Sequence, residues 1–81
     1  MIIKTMNALL TILKAIRPES DFVASGDFIE DGLLDSFDVV TLVGTLDKTY
    51  NISINGADIV PENFKSLEAI ATLLCKCGVQ L

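Results

Sequence analysis

The sequence contains no histidine. That absence removes Ser-His-Asp and Cys-His catalysis, and with them the commonest zinc ligand. There are only two cysteines, Cys75 and Cys77. They lie too close together to close a constraining loop, so no disulfide framework is expected and a reducing compartment is. Prolines also number two, and hydrophobic residues make up 51% against 21% charged. This composition folds rather than remaining disordered. Bases are scarce, six against eleven acids, for a net charge of −5. Phosphate neutralisation needs clustered Lys and Arg, so nucleic acid is not an expected partner and basic protein surfaces are. The apolar stretch 1–16 is broken by Asn7, Thr11 and Lys14, and no small-residue cleavage site follows. It reads neither as a signal peptide nor as a bilayer span. The expectation is one soluble, cytoplasmic, monomeric domain over residues 1–81 with no membrane insertion. A chain this short buries about 60–65% of its unfolded surface, which leaves little room for a deep cleft.

What is present has helical rhythm. Ile2, Met6, Leu9, Leu13 and Ile16 recur at spacings of four and three, with Lys4, Asn7, Thr11 and Lys14 on the opposite face. Arg17 and Pro18 end this first helix. A long connection follows, from Glu19 to Asp35. Phe22, Val23, Phe28, Ile29, Leu33 and Leu34 are spread through it, which predicts a loop pinned to the core. A second helix starts at Asp35 or Ser36, with Asp35 as N-cap and Asp38 completing a capping-box-like pair. Its expected buried stripe is Val39, Val43, Leu46 and Tyr50, and its wet one Asp38, Thr41, Thr45 and Lys48. Gly44 weakens the helix by about 1 kcal/mol relative to Ala, which suggests a close approach. Asn51 ends it.

Ile52 to Ile54 reads as extended and Asn55-Gly56 as a turn. Pro61 limits residues 57–64 to one helical turn. Ser66 caps a last helix that turns Leu67, Ile70, Leu74 and Cys77 inward, and Gly78 stops it. The predicted fold is all-α, a small four-helix bundle of three main helices and one short one.

The acids are not evenly spread. Seven of the eleven lie between positions 19 and 38, and no Lys or Arg lies between Arg17 and Lys48. Ser36 stands at the end of this acidic run, at a helix start. It can be simply a helix-start residue. As a nucleophile it has no histidine to activate it and the nearby carboxylates are weak bases, so a self-sufficient hydrolase is not expected, whereas modification by another enzyme that supplies the base is chemically sensible. A calcium loop counted from Asp27 would place Asp31, Gly32, Asp35 and Asp38 at positions five, six, nine and twelve. Ile29 at position three and Asp at twelve argue against it. Cys75 and Cys77 point roughly 200° apart on a helix and cannot share a metal, with Cys77 packed inward and Cys75 exposed.

The stretch Asp31-Gly32-Leu33-Leu34-Asp35-Ser36-Phe37-Asp38 resembles the phosphopantetheine attachment motif of acyl and peptidyl carrier proteins. Tyr50 to Ile54, Ile59 to Phe64 and Ser66 to Ile70 are similar to the second half of that family in order and spacing. The resemblance implies a bundle of acyl-carrier-protein type that is not an enzyme. It implies that Ser36 takes a 4′-phosphopantetheine arm from coenzyme A, with Asp35 helping to position the modifying enzyme. The arm would carry acyl or aminoacyl groups as thioesters to partner enzymes. The implied partners are a phosphopantetheinyl transferase, an acyl- or aminoacyl-loading ligase and downstream biosynthetic enzymes. Phe37 stands where Leu is more usual, as in some subfamilies that include D-alanyl carriers. After Asp38 the second helix holds only Asp47 as an acid, offset by Lys48. Both departures point to a dedicated carrier in a specialised pathway, docking through apolar contacts near Phe37 and Val40, unless those two pack partly into the core. An interior lined by Leu9, Leu13, Val43, Leu46, Ile59 and Ile70 is expected to open for part of an acyl chain. The alternative is a cofactor-free acidic docking domain.

Overall fold

The computed structural model describes residues 2–79, and of the side chains those from Thr5 onward. The expected places of Ile2 and Lys4 on the two faces of the first helix lie outside the described side chains. Three α-helices form: α1 over Ile2–Ile16, α2 over Ser36–Tyr50 and α3 over Leu67–Lys76. No strand occurs among the described residues. The short fourth helix is realised as a single 3-10 turn, Pro61–Asn63, preceded by another at Gly56–Asp58. Pro61 opens its turn where a missing N–H costs nothing.

α1 packs on both α2 and α3, and α3 also covers the Pro61–Asn63 turn. The core is aliphatic with three phenylalanines. Leu9 and Leu13 come from α1; Val39, Leu42 and Leu46 from α2; and Ile70, Ala71, Leu73 and Leu74 from α3. The α2 stripe therefore differs from the expected one. Leu42 is fully buried, whereas Val43 and Tyr50 are only half-buried. In α3, Ala71 and Leu73 join the core, while Leu67 and Cys77 stay half-buried and Cys75 is exposed. Gly44 is exposed, and a Cβ there would meet nothing within 4 Å, so no close approach explains it.

The long connection is pinned as its apolar content requires. Phe22, Phe28 and Leu34 are buried, and the two rings meet edge to face at 5.1 Å. Val23 is the exception, 72% exposed. Asp27 opens a single turn by accepting from the Ile29 and Glu30 amides at 3.0 Å. Gly32 closes that turn in the left-handed region at φ 75°. The Leu33 amide then bonds back to the Phe28 carbonyl, and the Gly32 amide to that of Ile29. This is the helix-stop pattern that glycine makes inexpensive. The Phe28 amide donates to the Lys65 carbonyl at 2.7 Å, tying the loop to the segment before α3. Asn51 and Gly78 end α2 and α3 in the same left-handed manner. Ser66 caps α3 by accepting from the Ala69 amide at 3.0 Å.

Candidate functional site

The pinned loop delivers the chain to the start of α2 at Asp35, Ser36 and Phe37. Asp35 is the N-cap: its Oδ1 accepts from the Asp38 amide at 2.9 Å. Asp38 returns the bond, its Oδ2 accepting from the Asp35 amide at 3.2 Å. The capping box read from the sequence is complete. Because Asp35 caps, Ser36 occupies the first helical position and is exposed. Its hydroxyl is not the capping acceptor. The capping bond from the Asp38 amide, with help from the Asp38 side chain and the Phe37 amide, holds the Asp35 carboxyl below the usual aspartate range.

Behind the box stands a residue that the pattern of motifs does not point to. Arg17, just past α1, donates from Nη1 to Asp38 Oδ2 at 2.6 Å and from Nε to Glu19 Oε1 at 3.0 Å. Bonds to Glu19 and Asp38 hold the guanidinium proton more firmly than usual. Glu19 is held below the usual glutamate range by its own amide and by Arg17. The available sequence signal was Arg17's isolation in an acid-rich segment without another base before Lys48.

Ser36 borders an apolar groove of about 260 Å³. α2 supplies Val39 and Val40, the loop supplies Ile29, and the segment after the Gly56–Asp58 turn supplies Ile59, Val60 and Pro61. Of the six residues expected to line an interior pocket, only Ile59 borders this groove. Leu9, Leu13, Leu46 and Ile70 are fully buried in the core. Phe37 and Val40 are 79% and 66% exposed. Packing into the core therefore does not account for them, and with Val60 they leave apolar surface on the Ser36 side of the molecule. Asp27 and Asp31 spend carboxylate oxygens on loop hydrogen bonds, Asp31 accepting from Ser25 Oγ at 2.7 Å. Among the described residues no three Cys, Asp or Glu side chains converge as a metal site would require.

The arrangement suits a phosphopantetheine arm. It offers an exposed primary hydroxyl, held on a rigid helix start, with apolar shelter beside it. Ser36 would hold the group's phosphate at the positive end of the α2 dipole, a favourable place for an anion.

The family model described as "Phosphopantetheine attachment site" matches residues 6–74. No curated protein and no solved structure matches the chain. Domains of that family bind 4′-phosphopantetheine on a serine, act as carriers rather than catalysts, and work with phosphopantetheinyl transferases and biosynthetic enzymes. With a match running from within α1 to within α3 and across the whole Ser36 region, this chain belongs to the phosphopantetheine-attachment family of carrier domains.

Proposed function

We propose that Ser36 is the attachment serine and that the chain carries acyl or aminoacyl groups for a specialised biosynthetic pathway. The observation that carries the reading is the division of labour at the α2 start. Asp35 and Asp38 make the cap, which leaves the Ser36 hydroxyl exposed at the mouth of an apolar groove. In the attachment step Ser36 Oγ bonds to the phosphorus that bears pantetheine. The pyrophosphate linkage of coenzyme A breaks, adenosine 3′,5′-bisphosphate leaves, and the hydroxyl proton passes to a base on the transferase. When bound, the arm supplies a terminal thiol that carries cargo as a thioester.

This chain's own residues supply address and shelter. Exposed Asp35 offers a carboxylate to the metal or basic groups of the transferase. Phe37, Val40 and Val60 give partner enzymes an apolar foothold, which fits an α2 that has few acids after Asp38. The aliphatic groove suits the apolar part of a cargo better than a charged one. The test is incubation with coenzyme A and a broad-specificity phosphopantetheinyl transferase, followed by peptide mass mapping. The added phosphopantetheine is expected on the peptide containing Ser36. Its appearance on any other residue would overturn the assignment.

A further inference from the structure

Arg17 has no task in the attachment chemistry as described, yet it reaches 21 positions along the chain to the α2 start. The Asp38 oxygen that it grips, Oδ2, is the same one that accepts from the Asp35 amide. Asp38 is only 13% exposed on its side chain and Arg17 30%, so this contact is shielded, whereas the Glu19 side chain at 67% is open to water. Without Arg17, Asp38 would be a half-buried carboxylate beside a second one, Asp35. Such a carboxylate turns toward water, and the reciprocal cap loosens. The nearest other bases in sequence are Lys14, which makes no ion pair with Asp38, and Lys48. A lysine ammonium is a point charge and does not reproduce the two-armed grip on Glu19 and Asp38.

We propose that Arg17 is a positioning residue for the loading of Ser36. It locks Asp38 into the capping box and so keeps the α2 start in the form that a transferase binds. The proposal rests on the reading of Ser36 as the attachment serine. If only part of the population holds that form, apparent affinity for the transferase falls by the same fraction, while turnover of the bound complex is unchanged. The loss then falls on KM for the carrier and not on kcat.

The test is steady-state arm transfer from coenzyme A by a broad-specificity transferase, read by intact mass. The proteins are the parent, Arg17→Gln, Arg17→Lys and Ser36→Ala, together with amide hydrogen exchange on each. Arg17→Gln is expected to raise KM for the carrier about tenfold with kcat nearly unchanged. Exchange should quicken at the Asp35 and Asp38 amides, which the capping box holds, while Leu42 and Leu46 keep their protection. Arg17→Lys should recover only part of the loss. A parent-like KM in Arg17→Gln would overturn the proposal, as would full recovery by lysine, a defect confined to kcat, or a loss of protection shared with the core. Undiminished transfer to Ser36→Ala, or none to the parent, would remove the attachment reading itself and this proposal with it.

Discussion

Asp35 is held below the ordinary aspartate range because its charged form accepts the Asp38 amide. A lowered folded-state value stabilises the fold above the unfolded pKa, near pH 4, and that contribution is lost as pH falls through the lower folded value. Asn caps as well as Asp but does not titrate. Asp35→Asn should therefore flatten the acid side of the stability profile below about pH 4; superimposable melting profiles between pH 2 and 6 would show that the carboxylate makes no such contribution. Gly44 gives a second residue-scale prediction. It is exposed in mid-helix with open space around its Cα. Gly44→Ala should stabilise the chain by about 1 kcal/mol in denaturant unfolding, and a loss would reveal a contact that the fold does not contain. Asp35, Asp38 and Ser36 were legible in the sequence because capping is a local pattern. Arg17 was not, because its pairing with Asp38 spans a loop whose path only the fold defines.

At the scale of elements, what local chemistry determines was readable and what packing determines was not. Ser66, Asn51 and Gly78 mark helix ends in the sequence and do so in the fold. The burial phase of α2 runs through Leu42 and not through the expected Val43. Val39, Val40, Leu42 and Val43 are all aliphatic, so the i+3 and i+4 rows look alike until α1 occupies one of them. Leu42→Ala should cost about 2–5 kcal/mol, a large share of what so small a domain has. Val43→Ala, at a half-buried position, should cost clearly less. Equal losses would contradict the observed phase. Ser66→Ala removes one cap bond, worth about 1 kcal/mol, and should lower Tm by about 4–8 °C. An unchanged Tm would mean that the Ala69 amide finds another partner.

At the scale of the whole molecule, the pinned loop is what makes so small a chain a usable carrier scaffold. Phe22, Phe28 and Leu34 anchor the connection in the core, and the Phe28 bond to the Lys65 carbonyl ties it to the segment before α3. The α2 start is thereby held on a rigid base with Phe37, Val40 and the groove exposed beside it. A net charge of −5 adds steering toward basic partner surfaces, so association with a partner enzyme should slow as salt rises. Family and fold class were legible because the Asp-Ser-Phe segment, the Pro-Glu-Asn-Phe segment and the helix rhythms agree with one another. The groove was not, since it joins Ile29, Val40 and Val60 from three separate segments. The most direct measurement is intact mass after incubation with coenzyme A and a broad-specificity transferase, for the parent and for Ser36→Ala, with circular dichroism confirming that both are folded. The account predicts a gain of one phosphopantetheine in the parent and none in Ser36→Ala. A folded parent that gains nothing, or a variant that gains as much as the parent, would contradict it.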